Sequence, residues 1–313
     1  MNVLLSPIGG QAMHGIIEYF FKAGHYTIGI DANPEATGRH FAHRFYCVPR
    51  VDGPSYPGAL LEIICKEQVD VFISWLDAEI LLWNERATAG ELPAELASVH
   101  TFNLRPDLAR FFDKLECAKM LAENGFRVPG TAAPAFGDFP PDFPCILKPR
   151  ISSGSRDVIK IEDEVAWEFH SVRLAHKGRF VAQEFIAGPE YTVDFFADKG
   201  LLVNAVVRER LEHQGVSLRG KVVQVPGLVA IVERFVSRFL LDGLNNIQFI
   251  ERGGNYYATD FNPRPSGTIM LSVRAGVDLL NNLIERKQGK PLTRYGEPRA
   301  LKMVRYLKEN YYA

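Results

Sequence analysis

The chain has 313 residues, 47% of them hydrophobic, and a formal net charge of −1. That length supports a large core and two or three domains, and the balanced charge argues against a bulk surface for nucleic acid or an anionic membrane. No apolar run reaches the ~18 residues of a membrane span, MNVLLSPIGG lacks the basic and apolar regions of a signal peptide, and Cys47, Cys65, Cys117 and Cys145 are scattered as in a cytoplasmic protein with reduced thiols.

The first hundred residues alternate short apolar runs with helical patterns. Strands are expected at Val3–Leu5, Tyr26–Ile30 and Val69–Ser74, and helices at Ala12–Lys22 and Tyr56–Glu67. Such alternation predicts a parallel sheet covered on both faces. Gly9, Gly10 and Gly15 follow the first strand without forming the GxGxxG spacing that a dinucleotide needs. Asp31 then reads as a strand-end turn residue. Asp77, after the strand ending at Ser74, either faces a ligand or caps the next helix.

One helix is expected over Asp107–Glu123, with Leu108, Phe111, Phe112, Leu115 and Ala118 on one stripe and Lys114 off it. FPCILKP ends on Lys148, and the small-residue loop ISSGSRDV follows, a pattern that can wrap phosphates through its backbone N–H groups. Later come a helix at Val165–Ala175, strands at Phe180–Ile186, Glu190–Phe196 and Leu201–Arg208, and helices at Val229–Leu241 and Asp278–Lys287.

Asn245–Arg264 reads as a β-hairpin turning at Gly253-Gly254. Ile247 and Phe249 alternate with Asn246 and Gln248, and Tyr257, Thr259 and Phe261 alternate with Ala258, Asp260 and Asn262. A turn centred on Gly254 sets Gln248 opposite Asp260, with Asn262 on the same face and Arg264 continuing it. Amide and carboxylate oxygens suit Mg²⁺, and a guanidinium suits phosphate or carboxylate. An amphipathic hairpin with a polar outer face is the plain alternative, weakened by the prolines of Asn-Pro-Arg-Pro. Arg208 and Arg210 share a strand face and could hold a carboxylate or a phosphate group. Otherwise they, His213 and Lys221 form a basic edge partnered by Glu209 and Glu212.

Taken together, Asp113-Lys114, Ile146-Leu147-Lys148-Pro149, Ser152-Ser153-Gly154, Glu184 through Asp194, and Asn246 through Arg264 occur in an order that resembles the ATP-grasp superfamily, in its carbamoyl phosphate synthetase-like group. The resemblance covers nearly the whole chain. It implies mixed α/β and α+β architecture: a Rossmann-like pre-ATP-grasp domain at 1–103, a small lid subdomain at 104–182 and a large subdomain at 183–313. By resemblance, Lys114 and Lys148 contact ATP phosphates and Ser153 and Gly154 belong to the flap over them. Glu184, Phe185 and Ile186 meet the adenine, Glu190 the ribose, and Gln248, Asp260 and Asn262 hold Mg²⁺, with Mn²⁺ as a substitute; Gln248 also borders the nucleotide. Arg264, with Lys148, Arg208 and Arg210, would serve the transferred phosphate.

Two positions depart from the family pattern. Asp260 stands where Glu is usual, and Gln248 occupies the other carboxylate position, so a single formal negative charge serves the ions and Mg²⁺ is expected to arrive with ATP. The implied activity is that of a single-module ligase, which activates a small-molecule carboxylate as an acyl phosphate for attack by an amine. One grasp module is expected in this sequence, without a second or a glutaminase-like Cys-His-Glu region. The alternatives are a carboxyphosphate- or carbamate-forming kinase and an ATP-binding regulator without chemistry. Partners would be small molecules, with no nucleic acid or membrane, and the resemblance leaves room for a homodimer.

Overall fold

The computed structural model describes residues 1–133, 142–152, 157–175, 180–214, 216–306 and 308–312. It begins with a parallel sheet built from β1 (Asn2–Ser6), β2 (Tyr26–Asp31), β3 (Arg44–Cys47) and β4 (Val71–Ser74), in the order β3-β2-β1-β4. Helices α1 (Met13–Lys22), α2 (Tyr56–Lys66), α3 (Asp77–Thr88) and α4 (Ala94–Val99) accompany it. Val3 and Leu5 pack towards α1, whereas Leu4 and Phe72 pack towards α2 and α3. The strands are buried on both faces, which is why they read as unbroken apolar runs. Asp31 accepts from the backbone N–H of Gly9 at 2.7 Å and of Asn33 at 2.8 Å, so it pins the strand-end turns as expected.

The helix expected over Asp107–Glu123 is broken into α5 (Leu108–Phe112) and α6 (Lys114–Glu123). Asp113 adopts an extended conformation between them and caps α6, accepting from the N–H of Leu115 and Glu116. The break divides the apolar stripe. Leu108 and Phe112 join the core of the parallel sheet, while Phe111 turns towards the C-terminal sheet.

A small antiparallel sheet follows, formed by β5 (Thr131–Ala132), β6 (Cys145–Pro149), β7 (Ile159–Ile161) and β8 (Phe180–Glu184), with α7 (Glu164–Ala175) beside it. Its order is β5-β8-β6-β7. The expected boundary at 182/183 therefore falls inside β8, and the sheets part at Phe185–Pro189. There Gly188 lies so close to the Glu251 carbonyl that an added Cβ would sit 1.8 Å from that oxygen. Only glycine fits this crossing.

The large sheet comprises β9 (Glu190–Asp198), β10 (Leu201–Gln214), β11 (Val216–Val222), β12 (Gly243–Arg252), β13 (Asn255–Asn262) and β14 (Lys302–Val304). Their order is β13-β12-β9-β10-β11-β14. β10 outruns its expected end at Arg208, which places Arg210 on the strand. Helices α8 (Pro226–Phe239), α9 (Ile269–Arg274) and α10 (Leu279–Lys287) complete the chain. Val193, Phe195, Ile247, Phe249 and Phe261 pack on α8. The opposite face contributes Phe196 and Val206 to the core that holds Val3, Leu5 and α1. Among the described residues no helix is long and apolar enough to cross a membrane.

Glu79, in the first turn of α3, is fully buried. Neither carboxyl oxygen has a well-formed hydrogen bond among the described residues, although the Ser6 hydroxyl lies close. Burial pushes its pKa up to about 8. An acid raised in the folded state is favoured by protons, so its contribution is best below its unfolded value and is lost as pH rises towards 8. Each pH unit in that window costs roughly 1.4 kcal/mol. Glu79→Gln should therefore gain thermal stability over the native protein at pH 8 relative to pH 5, by several degrees in Tm; parallel Tm profiles across this range would refute this.

Candidate functional site

The hairpin of β12 and β13 pairs Gln248 with Asp260 and Asn246 with Asn262, as expected. The route to that pairing differs. Arg252 opposes Asn255 across a two-residue turn whose glycines have φ of 58° and 75°. Continued regularly, this register would set Gln248 opposite Thr259. A bulge between the Phe249–Ala258 and Gln248–Asp260 pairs absorbs Thr259 instead. The strict alternation expected along β13 is thereby corrected: Ala258 lies in the α8 core with Phe249, not on the face of Asp260 and Asn262. Asn262 Nδ2 donates to Asp260 Oδ2 at 3.1 Å, so the polar groups form one patch.

The small sheet faces this patch. Lys148, at the end of β6, is 8% exposed, and its Nζ donates to Gln183 Oε1 on β8 at 2.8 Å. Gln183 in turn donates to Thr131 Oγ1 at 3.0 Å. Burial lowers the Lys148 pKa to about 8, against the attraction of Asp260. Lys114 opens α6, and its Nζ donates to the Ser152 carbonyl at 2.9 Å. Its position is set locally. Arg150 Nε donates to both Asp113 oxygens at 3.0 Å, and the Lys114 N–H donates to the Arg150 carbonyl at 2.9 Å. Burial pushes the Asp113 carboxyl up, but its bonds to Arg150 prevail and hold it below the usual range. Among the described residues neither lysine has a carboxylate within ion-pair distance. Lys114, Gln183 and Asp260 share a cleft with Phe111 and Cys117.

The two arginines of β10 have different fates. Arg210 Nη1 reaches Gln248 Oε1 at 3.0 Å and Glu190 Oε2 at 3.3 Å, within the site. Arg208 is 2% exposed and grips Asp194 with two bonds, at 2.7 and 2.8 Å, while also donating to Ser266 and Thr268. That corrects its candidacy as a catalytic group: its guanidinium supports the loop carrying Arg264 and does not face the cleft. Lys221 pairs with Glu209 and Arg219 with Glu212, as a solvated edge would. The side chain of His213 lies outside the described ones.

Arg264 follows β13, and its Nη2 donates to Asn262 Oδ1 at 3.1 Å. It also pairs with Asp77. Asp77 is the first residue of α3 and makes no capping bond, so the helix-cap reading fails. Glu184 accepts from Arg252 at 2.7 Å and from the Gly130 N–H at 3.1 Å; Phe185 is half-buried and Ile186 buried in the linker behind it. Ser153 and Gly154 lie outside the described residues.

Phosphate groups fit this donor set, because Lys114 lines the cleft and Lys148 is bonded to Gln183 of that lining, both with neutral oxygen partners. A hard divalent ion fits Asp260, Asn262 and Gln248 on the condition that anions come with it. Both amide oxygens already accept from arginines, and among the described residues no group of three or more His, Cys, Asp or Glu could hold a metal.

Comparisons with known proteins agree with the architecture. Residues 176–310 match the family described as "ATP-grasp in the biosynthetic pathway with Ter operon", and residues 3–92 match "PylC-like, N-terminal domain". The chain is 23% identical over 292 residues to the carbamoyl phosphate synthase large chain of Clostridium acetobutylicum, covering 88% of this chain but only 27% of that one. It is 25% identical over 303 residues to the formate-dependent phosphoribosylglycinamide formyltransferase of Sulfurisphaera tokodaii, covering 87% of this chain and 72% of that one. N5-carboxyaminoimidazole synthetase from Staphylococcus aureus, complexed with ADP, superimposes with a TM-score of 0.77 at 14% identity, over 98% of this chain and 82% of that one. The fold is thus an ATP-grasp fold preceded by a parallel-sheet domain.

Two outcomes follow from the charges. Mg²⁺ titrated without nucleotide should show no micromolar binding, and a tight nucleotide-independent site would contradict this. MgADP affinity, measured by calorimetry, should weaken as pH rises through about 8 and Lys148 loses its proton. Lys148→Arg should flatten that dependence, since arginine stays charged.

Proposed function

We propose that this chain, which has an ATP-grasp fold and resembles the carbamoyl phosphate synthase-like group, is an ATP-dependent ligase joining a small-molecule carboxylate to an amine. The observation that carries the reading is that Arg210 bonds Gln248 and Arg264 bonds Asn262, while Lys114 shares a cleft with Asp260 and Lys148 lies near enough to feel its charge. Such a site is cationic without a ligand and is balanced by a metal-bound polyphosphate.

In the proposed reaction an oxygen of the acid attacks the γ-phosphorus while the bond to the ADP oxygen breaks. An amine then attacks the acyl carbon and loses a proton, and phosphate departs with the C–O bond electrons. Phosphoryl transfer demands alignment and charge neutralisation more than covalent help. Lys148, held by Gln183, presents a fixed cation to the phosphates, and Lys114 a second from the start of α6. Arg210 spans Glu190 and Gln248, linking the ribose and metal positions. Arg264 neutralises charge on the transferred group. Mg²⁺, or Mn²⁺ in its place, would bind Asp260, Asn262 and Gln248 and supply further neutralisation and alignment of the phosphate oxygens. No side-chain nucleophile is needed. Closure of the small sheet on the large one would exclude water from the acyl phosphate.

The names of the relatives carry one-carbon acyl units: carbamoyl, formate and carboxy. Formate and bicarbonate therefore head the candidate acids, and bicarbonate would give a carboxyphosphate by the same first step. A screen of ADP and phosphate release over small acids, including amino acids, with and without amines tests the reading. Release that needs both an acid and an amine supports it. Release saturated by acid alone favours the kinase alternative, and none with any mixture, despite ATP binding, favours a regulator. Lys148→Ala and Asp260→Ala should each lower turnover by at least about 10²-fold with unchanged Tm; near-native rates in either would sink the assignment.

A further inference from the structure

Asp77 and Arg264 are 187 positions apart in sequence and form an ion pair with side chains 14% and 13% exposed. The pair crosses from the first turn of α3, in the parallel-sheet domain, to the loop behind β13. The backbone of that loop is anchored independently of Asp77. Asn246 Nδ2 donates to the Arg264 carbonyl at 2.9 Å, Trp75 Nε1 to the Ser266 carbonyl at 3.4 Å, and Arg208 to the Ser266 and Thr268 hydroxyls. What the loop leaves open is the direction of the long Arg264 side chain.

Asp77 sets that direction. Its Oδ1 receives Arg264 Nε and its Oδ2 receives Nη2 at 3.4 Å, so the carboxylate lies along the Nε edge of the guanidinium. The other end is turned to the hairpin: Nη2 also reaches Asn262 Oδ1 at 3.1 Å, and Nη1 donates to the Pro265 carbonyl at 3.2 Å. A free arginine carries about 2 kcal/mol of rotamer entropy, and a two-point carboxylate contact removes much of that freedom before the substrate arrives. Among the described residues the Asp77 side chain has no hydrogen-bond partner besides Arg264.

We propose that Asp77 is a positioning residue for phosphoryl transfer: it aims Arg264 from the neighbouring domain and touches neither nucleotide nor acceptor. The proposal rests on the reading that Arg264 meets the transferred phosphoryl group. It gives the parallel-sheet domain a part in that step through one side chain.

The test is calorimetric and needs no acceptor. MgADP is titrated into native protein, Asp77→Asn, Asp77→Glu, Arg264→Lys and the Asp77→Asn/Arg264→Lys double variant, with and without fluoroaluminate as a mimic of the phosphoryl group in flight. In native protein fluoroaluminate should tighten MgADP by at least about tenfold. Arg264→Lys and Asp77→Asn should each lose most of that gain, read as the ratio of MgADP affinities with and without fluoroaluminate within each variant, with Tm reporting an intact fold. Asp77→Glu should recover part of it, and the double variant should bind no worse than Arg264→Lys. If Asp77→Asn keeps the full gain while Arg264→Lys loses it, the positioning role is overturned and the reading of Arg264 stands. If Arg264→Lys keeps the gain, or native protein shows none, the reading of Arg264 fails and the proposal with it.

Discussion

One inserted residue governs the geometry on which the site depends. The turn at Gly253-Gly254 sets Arg252 against Asn255, and a regular ladder from there would bring Asp260 opposite Ile247, which faces the α8 core. A carboxylate on that face would be buried beside Phe235 and Phe249, at a cost of several kcal/mol. The bulge at Thr259 moves the register by one and sends Asp260 to the polar face, while returning Phe261 to the core. β9 on the far side of β12 holds the frame, with Ile247 paired to Val193 and Gln248 to Thr192.

Around that frame, charge is arranged asymmetrically. The cations are fixed by neutral oxygens or by carboxylates reaching in from outside the cleft: Gln183 for Lys148, the Ser152 carbonyl for Lys114 and Asp77 for Arg264. Among the described residues the two lysines therefore have no carboxylate ion pair, whereas Arg264 is paired with Asp77 and Arg210 with Glu190. Arg208 shows the contrasting solution on the same strand. Its charge is cancelled by Asp194, and its remaining donors tie down the loop after β13. The parallel-sheet domain belongs to this construction as well, because its core continues into the large sheet through Phe196 and Val206.

Much of this was legible in the sequence because order and chemistry coincide there. A lysine at a strand end before a small-residue loop, and a hairpin with oxygen ligands on facing positions, are local patterns. The Gln248–Asp260 pairing was inferred from a turn centred on Gly254, and it holds because a two-residue turn and a bulge add to the same offset. A bulge leaves no clear mark in an alternating strand. The break at Asp113 was hidden by an apolar stripe that continues in phase while serving two cores. Arg208 and Arg210 share a face, so spacing could not separate them. Only the third dimension brings Asp194 and Ser266 to one and Gln248 and Glu190 to the other. Asp77 looked like a ligand or a cap because its true partner lies far along the chain.

The small sheet draws its described core from Cys145, Leu147, Ile161, Trp167 and Ala182, and it is tethered to the large sheet at the Gly188 crossing. Among the described residues this core is smaller than those of the other two sheets, and a smaller core favours local opening below the global unfolding free energy. A ligand bridging Lys148 and Asp260 would be bound by both sheets at once. Nucleotide occupancy would then be recorded as slowed amide exchange and protease resistance concentrated in the small sheet, while the large sheet, already locked by its own core, would hardly register the event.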